Sequence, residues 1–235
     1  MGEKETRRGY VDTDEQEFSE ESLVTLKKAQ DEIRWLLDRG YQIKNAVTFV
    51  GNHYLLSSRQ RLALTRATSP TVSIAERKRK EVIAYSNQVV SIDGFNLIIT
   101  LEVALSGSTL IKCMDRCFRD LAGLRGTYRL IDKTDSAIVL IGNRLKSMNI
   151  AGARFFLDTP VSNTGRLKAR ILEQLSGCGY DLAVDLVNNV DAILKTKPYV
   201  VTSDAIILNE CSSWINLAGA IISEDIVDAK YVDLG

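Results

Sequence analysis

The chain has 235 residues, of which 45% are hydrophobic and 26% are charged, a composition typical of globular proteins. Its 30 basic and 30 acidic residues give a net charge of zero. No apolar run is long enough to span a membrane, and the polar N-terminus lacks the apolar core of a secretory signal, so we expect a cytoplasmic protein.

The N-terminal third of the chain has a helical pattern that follows an acidic start. Residues 1–21 hold eight acids and three bases, and we predict an acidic, mobile tail. Residues 22–75 then carry leucine, isoleucine and tryptophan at helical spacing, with candidate N-caps at Ser19 and Ser22 and a stop at Gly40. A further helix is opened by Ser57 or Ser58. We predict a small all-helical domain of about three helices.

Basic residues are concentrated at the end of this helical part. Residues 59–80 hold seven bases and one acid, and Arg59 and Arg66 lie on the same face of a predicted helix. The cluster is either a solvated helix surface or a phosphate-binding face. A helix-turn-helix-like binder, a dimerisation element and a lid all remain open as roles for this domain.

From residue 82 to residue 235, apolar β-branched runs alternate with helical patterns. Strands are predicted at QVVSID, STLIKCMD, ARFFLD, YDLAVDLV, PYVVTSD and WINLAGAII. Helices are predicted at FNLIITLEVALSG, TDSAIVLIGNRLKSMN, NTGRLKARILEQLSGCG and DAILKT. This alternation is typical of an α/β domain with a parallel sheet flanked by helices.

Histidine and cysteine are scarce. His53 is the one histidine of the chain. A Ser-His-Asp triad, a Cys-His pair and a histidine-bound metal are therefore not supported by the sequence. The four cysteines do not have zinc-site spacing, and we expect buried thiols. Neither a P-loop nor a complete dinucleotide-binding glycine motif occurs. If the protein is an enzyme, its carboxylates are the available reagents.

Several predicted strands end in aspartate. Asp93, Asp158 and Asp204 each end a strand, and Asp191 opens a short helix after another. Because parallel strands place their carboxyl ends at one edge of the sheet, these side chains are expected to converge there. Clustered carboxylates favour Mg²⁺ or Mn²⁺ and suit hydrolysis at phosphorus. The alternative is that each aspartate is only a turn former or a helix N-cap.

A second basic segment, MDRCFRDLAGLRGTYRLIDKTD, follows the predicted strand STLIKCMD. Aromatic residues alternate with arginines in it, and arginine forks and aromatic rings suit phosphates and bases. We predict that four arginines guide a nucleic-acid backbone: Arg116, Arg119, Arg125 and Arg129. The alternative is a surface loop whose arginines pair with nearby aspartates.

The motif VSIDGFNLI resembles the opening strand of the PIN-like nuclease superfamily, particularly its NYN branch with a DGxN motif, and VVTSDAIIL resembles the late TSD strand end of PIN domains. The resemblance spans roughly residues 89–222. It implies that Asp93 and Asp204 hold metal, that Asn96 positions water or phosphate, and that Asp158 and Asp191 supply the middle acids.

Three further residues belong to this comparison. Ser162 and Asn163 lie in DTPVSNTGRL, which resembles a polar, nucleic-acid-binding loop near the same edge. In PIN nucleases the middle acid is often a glutamate on a helix, and here Glu102 is in the first helix of the domain. The whole chain also resembles a prokaryotic family of unknown function with a helical N-terminal part, on the stretch LLDRGYQIKNAVTFVGNHYLLSSRQRLALTRAT, and this second resemblance implies no activity.

We therefore expect a metal-dependent nuclease of endoribonuclease type, with RNA favoured over DNA. Its catalytic residues would be Asp93, Asn96, Asp158, Asp191 and Asp204. The four aspartates would together hold one or two Mg²⁺ or Mn²⁺ ions. The alternatives are a non-catalytic nucleic-acid-binding or regulatory protein with a degenerate site, and a phosphatase for small substrates. The sequence leaves open whether copies of the chain form a homo-oligomer.

Overall fold

The computed structural model describes residues 6–123 and 126–235. The N-terminal part is helical, with α1 (Asp14–Glu17), α2 (Glu20–Leu37), α3 (Ile43–His53), α4 (Ser58–Ala67) and α5 (Thr71–Lys80). The remainder contains β1 (Val89–Asp93), α6 (Gly94–Leu105), β2 (Leu110–Lys112), β3 (Phe118–Asp120), α7 (Asp132–Ser147), β4 (Gly152–Asp158), α8 (Thr164–Gln174), β5 (Asp181–Val187), α9 (Val190–Leu194), β6 (Val200–Val201), α10 (Ala205–Glu210), β7 (Trp214–Ile215), α11 (Leu217–Glu224) and β8 (Tyr231–Asp233).

The main sheet has five parallel strands in the order β5-β4-β1-β6-β7. From β1 the chain runs to β4 and β5 on one side and then crosses to β6 and β7 on the other. The order therefore reverses between β1 and β6, and such a switch point opens a crevice at the carboxyl ends of the strands. This arrangement confirms the predicted fold class, an α/β fold with a parallel sheet flanked by helices and preceded by a helical region.

Both faces of the sheet are covered, which explains why its strands are rich in apolar residues. Helices α6, α7, α8 and α11 lie on the face that carries Ile92 and Phe155. Helices α9 and α10 lie on the other face with Phe156 and Trp214. Burial of each such side chain stabilises the fold by roughly 1.5 to 3 kcal/mol relative to exposure.

The helical region shares its core with a second, smaller sheet. Leu26, Ile33 and Leu64 from α2 and α4 pack together with Ile111 and Val232 from the small sheet. This sheet has the order β3-β2-β8, with β2 antiparallel to β3 and parallel to β8. The predicted strand STLIKCMD therefore pairs outside the main sheet, because its partners are β3 and the last strand of the chain.

Helix starts follow their caps. Ser57 opens α4 in a capping box with Gln60, as the sequence predicts. The expected strand WINLAGAII is wrong beyond Ile215, because the Asn216 side chain accepts a hydrogen bond from the Gly219 N–H at 3.1 Å and so opens α11.

The acidic N-terminal segment, predicted to be a mobile tail over residues 1–21, is described from residue 6 and contacts both parts of the protein. Arg59 of α4 bonds Asp14 at 2.7 Å. Arg7 donates to the Ser106 carbonyl at 3.0 Å, and Arg8 pairs with the buried Glu102 of α6. These bonds tie residues 7–14 to α4 and α6.

Within the described ranges, no helix is both long enough and apolar enough to cross a membrane.

Candidate functional site

The centre of the candidate site is Asp93, the last residue of β1. Its carboxylate accepts a hydrogen bond from the Thr202 hydroxyl at 2.9 Å, just beyond β6. It also accepts from the Asn96 backbone N–H at 3.4 Å and so caps α6. The residue is only 9% exposed. Asp93 is therefore a helix cap and also one of the carboxylates at this edge of the sheet. The sequence presents these two possibilities as alternatives.

The charge on Asp93 is costly in this position. Burial raises the pKa of its carboxyl to about 7, although the bonds from Thr202 and Asn96 act in the opposite direction. The negative charges of Asp204 and Asp191 contribute to this raised pKa. A buried carboxyl that other carboxylates push toward the neutral form is a common mark of a functional site, since a bound cation relieves the repulsion.

Asn96 and the segment 202–204 are joined across the crevice between β1 and β6. The Asn96 side-chain oxygen accepts from the Ser203 N–H at 2.8 Å and from the Ser203 hydroxyl at 3.0 Å. The Asp204 N–H donates to the Thr202 hydroxyl oxygen at 3.1 Å. Sequence reasoning selected Asn96 and Asp204 but missed Thr202 and Ser203, although both lie in the TSD motif that pointed to Asp204.

The other predicted acids lie at the same edge of the sheet. Asp204 caps α10 through bonds from Ile206 and Ile207. Asp191 is exposed in the first turn of α9, but nearby protein atoms partly desolvate its carboxyl, and this desolvation and the charges of Asp204 and Asp158 raise its pKa.

Asp158 ends β4, and its carboxylate accepts from the Val190 N–H at 3.1 Å. It therefore fixes the start of the helix that carries Asp191. Asp93, Asp191 and Asp204 interact with one another, while Asp158 is joined to the group through Asp191.

The donor chemistry suits a hard divalent cation. The crevice offers carboxylate and amide oxygens, which Mg²⁺ and Mn²⁺ prefer. Within residues 6–123 and 126–235, no group of three or more His, Cys, Asp or Glu side chains is already arranged to hold a metal ion. Mg²⁺ sites, however, commonly use one or two protein carboxylates and complete the shell with water and substrate phosphate. Asp93 and Asp204 could supply these one or two carboxylates.

The predicted arginines do not form one surface. Arg119 is 5% exposed, and its guanidinium bonds the Ser203 carbonyl at 2.7 Å and the Asp115 carboxylate at 2.6 Å. Its role is to position Ser203, instead of the phosphate contact that we predicted. Arg116 is exposed and pairs with Glu81.

The other described members of the predicted nucleic-acid surface are Arg129, Ser162 and Asn163. Arg129 is exposed, and its carbonyl accepts a hydrogen bond from Arg8. Ser162 and Asn163 bond the backbone of Tyr128, at 3.1 and 2.6 Å respectively, so they hold the segment that follows residue 125. Arg125 lies outside the described residues.

Glu102, the alternative middle acid, is remote from the crevice. It is nine residues beyond Asp93 along α6, a distance of about 13 Å at the helical rise. Its carboxylate accepts from the hydroxyls of Tyr128 and Thr134 and pairs with Arg8. The residue therefore anchors the N-terminal segment to α6.

A cleft of about 310 Å³ adjoins the acidic edge, and the helical region forms one of its sides. One wall comes from the α/β part, with Asn96, Arg119, Ser203 and Asp204. The opposite wall comes from the end of α4 and the turn after it, and it consists of Thr65, Arg66, Thr68 and Ser69. Sequence reasoning marked Arg66 as basic but did not place it beside the aspartates.

Comparison with known proteins gives two family matches. Residues 82–220 match the family described as "Domain of unknown function (DUF5616)". Residues 25–80 match the family described as "Protein of unknown function (DUF434)". The chain is also 35% identical over 187 residues to an uncharacterized protein of Methanocaldococcus jannaschii, which covers 79% of this chain and 89% of that protein. No solved structure matches the chain. The chain thus belongs to the DUF5616 family, with a DUF434 segment preceding its α/β part.

Proposed function

We propose that the protein is a metal-dependent nuclease that hydrolyses phosphodiester bonds in RNA. The observation that carries the proposal is Asp93, a buried carboxyl at the topological switch point whose pKa is raised to about 7 by burial and by neighbouring carboxylates. Ionisation of such a carboxyl is unfavourable unless a cation binds beside it. The resemblance of VSIDGFNLI and VVTSDAIIL to PIN-like nucleases of the NYN branch supports the reaction class.

Each residue of the crevice has a distinct role in this proposal. Asp93 and Asp204 would hold Mg²⁺ or Mn²⁺, and Asp191 would complete the acidic side of the site. Asn96 is fixed by Ser203 through its oxygen, which leaves its amide nitrogen available for a phosphate oxygen. Asp158 holds the start of α9 and so positions Asp191. When bound, the cation would activate water and neutralise charge that develops on the phosphate.

The cysteines support a reducing compartment. All four are free thiols, and Cys113, Cys117 and Cys211 are buried. Free thiols are the usual state in the cytosol. We therefore propose a cytoplasmic location.

One observation favours a second function, nucleic-acid binding without turnover. No group of three metal-ligating side chains is assembled in the described part of the chain. A protein of this kind would retain RNA in a chelator, with affinity that falls steeply as salt is added.

The deciding assay is cleavage of end-labelled single-stranded RNA in Mn²⁺, by the wild type and by Asp93→Asn. The variant keeps the size of the side chain and a hydrogen bond to Thr202, but it loses the charge. Asp185→Asn is the matched control, since Asp185 lies on β5 and its contact is a half-exposed pair with Arg154. We expect the wild type and the control to cleave, and Asp93→Asn to lose at least about a hundredfold in rate.

Two results would overturn the proposal that the protein is a nuclease. RNA that is bound but never cleaved by the wild type would establish the binding function instead. Hydrolysis of a small chromogenic phosphate ester with intact RNA would identify a phosphatase. Equal cleavage by the wild type and Asp93→Asn would remove Asp93 from the site.

A further inference from the structure

We infer that the helical region supplies a phosphate-binding subsite, in which Arg66 contacts the backbone of single-stranded RNA next to the acidic crevice. The inference rests on the proposed function for the identity of the ligand. Its structural basis is the cleft between α4 and the carboxyl edge of the sheet, which has Arg66 on one wall and Asn96 and Asp204 on the other.

Arg66 is the cation in this cleft whose side chain is free to bind. It is partly exposed in the last turn of α4, and within the described ranges its guanidinium makes no hydrogen bond or ion pair to the protein. The neighbouring arginines differ, because Arg59 is bonded to Asp14, and Arg77 and Arg119 are bonded to Asp115. The backbone of Arg66 is nevertheless held in place, since its carbonyl accepts from Arg119 at 3.1 Å.

A second unsatisfied group lies on the same wall. The Thr68 hydroxyl has no hydrogen-bond partner in the described part of the protein, although the residue is only 4% exposed. A buried hydroxyl without a partner is unfavourable, and a ligand that supplies an acceptor removes the cost. On the facing wall, the Asn96 amide nitrogen likewise makes no bond to the described residues, while its oxygen is bonded to Ser203. Thr68 and Asn96 therefore bring polar groups without a bonding partner among the described residues to opposite walls of the cleft.

The charge beneath the cleft also favours an anion. Arg77 and Arg119 share one carboxylate, that of Asp115, at 2.6 Å each. Burial raises the pKa of Asp115, but the two arginines outweigh it and hold this pKa below its usual value, so the group is charged. Two positive charges with one negative charge leave a net charge of +1 in a buried network that lines the cleft through Arg119. This charge offsets Asp204 on the same wall.

The cleft and the acidic crevice share Asn96 and Asp204. A phosphate beside Arg66 would therefore be next to the phosphodiester that faces Asp93. Consecutive phosphates of one strand satisfy this arrangement, whereas a small phosphate ester would reach only one of the two positions. The inference thus names a single-stranded polynucleotide as the ligand, with the DUF434 segment forming part of the binding site.

The test measures RNA binding in a chelator, where no metal-dependent hydrolysis takes place. Fluorescence anisotropy with a labelled single-stranded RNA would be recorded over a series of salt concentrations for the wild type, Arg66→Gln and Arg66→Lys. Arg34→Gln is the matched control, because it removes the same charge from the same region, from an exposed pair with Asp31. Circular dichroism melting would check that each variant is folded.

We expect Arg66→Gln to weaken binding about five- to tenfold and to make the slope of log affinity against log salt shallower by about 0.7, the value for one lost phosphate contact on a single strand. Arg66→Lys should restore the slope, and Arg34→Gln should match the wild type. An unchanged affinity and slope in Arg66→Gln would overturn the inference, and so would failure of the wild type to bind RNA at low salt.

This assay separates the inference from the nuclease proposal. A wild type that binds through Arg66 but never cleaves in Mn²⁺ would refute the nuclease and support the subsite. A wild type that cleaves, with Arg66→Gln unchanged in binding and slope, would refute the subsite alone.

Discussion

At the scale of single residues, Asp93 shows how one side chain can serve both the fold and a site. Its hydrogen bonds from Thr202 and Asn96 hold β1, β6 and α6 together at the crevice. The same position removes the carboxyl from water and places it near Asp204 and Asp191. The proposed function therefore relies on a group whose ionised form reduces the stability of the fold.

The raised pKa of Asp93 predicts that the stability of the metal-free protein depends on pH. The pKa of Asp93 is about 7 in the folded protein against 3.8 for an unperturbed carboxyl. The folded state retains this proton between the two values, so the contribution of Asp93 to stability is complete below about pH 4 and is lost as the pH rises to about 7. Urea unfolding of the wild type and Asp93→Asn should show the difference between their free energies change by roughly 2 to 4 kcal/mol over this range. If the free energies of unfolding of the two proteins changed in parallel with pH, the raised pKa of Asp93 would be contradicted.

The sequence was informative at this scale only where a motif marked the residue. The positions of Asp93, Asn96 and Asp204 at the carboxyl edge were predictable, because DGxN and TSD occur at strand ends. Thr202 and Ser203 were missed because their roles depend on the pairing of β1 with β6, which no local pattern specifies. Arg119 pairs with Asp115, four residues away, which agrees with the alternative that the arginines of this segment pair with nearby aspartates. Its burial also depends on the distant Ser203 carbonyl, which no local pattern specifies.

At the scale of elements, a buried charge network joins the helical region to the sheet. Arg77 of α5, Asp115 of the β2–β3 turn and Arg119 of β3 form it, and Arg119 continues to Ser203 after β6. Trp214 of β7 adds a bond from its indole N–H to the Arg77 carbonyl at 2.7 Å. The basic run AERKRKE, residues 75–81, is thus mostly part of helix α5, which continues beyond the predicted end of the helical domain at residue 75.

Removing the shared carboxylate should be severe. Asp115→Asn leaves two buried arginines without a compensating charge, and we expect a loss of about 3 to 5 kcal/mol in the free energy of unfolding. Asp31→Asn breaks an exposed pair with Arg34 and should cost less than about 1 kcal/mol. Chemical denaturation of both variants measures the contrast. Equal losses would mean that the network contributes no more than a surface pair.

The end of the main sheet shows why local pattern was insufficient for some elements. WINLAGAII is apolar throughout and suits a buried strand, yet only Trp214 and Ile215 pair in β7. Asn216 then caps α11, whose residues Ile221 and Ile222 enter the core beside α6 and α7. A uniformly apolar run has no periodicity with which to separate a buried helix from a buried strand.

The contribution of the Asn216 cap to stability can be measured. Asn216→Ala removes the acceptor for the Gly219 N–H and should lower the free energy of unfolding by about 1 kcal/mol. Asn216→Ser retains an acceptor and should recover most of that loss. Urea unfolding at constant pH compares the two. If Ala and Ser behave alike, the Asn216 side chain does not stabilise α11.

At the scale of the whole molecule, the helical region and the α/β part are bound by a shared core. Leu26 and Leu64 of the helices pack with Ile111 and Val232 of the small sheet, and the C-terminal strand β8 completes that sheet. The sequence suggested two domains because composition changes near residue 80, but the pairing of β2 with β8 joins segments that are about 120 residues apart.

The shared core predicts cooperative unfolding. In a Trp35→Phe variant, tryptophan emission reports on the buried Trp214 of the sheet, since Trp35 is 55% exposed on α2. Helical circular dichroism reports on both parts. The two signals should give coincident urea transitions. A circular dichroism transition that precedes the fluorescence change would show that the helical region unfolds independently.

Isothermal titration of Mn²⁺ measures whether the carboxylates at the switch point bind a divalent cation. The titration would use the wild type and Asp93→Asn at about pH 8, with Asp185→Asn as control. We expect the wild type and the control to bind Mn²⁺, Asp93→Asn to bind at least about tenfold more weakly, and the wild type to bind more weakly at about pH 5, where protons compete for Asp93. Absence of binding to the wild type, or equal affinity for the wild type and Asp93→Asn, would contradict this expectation.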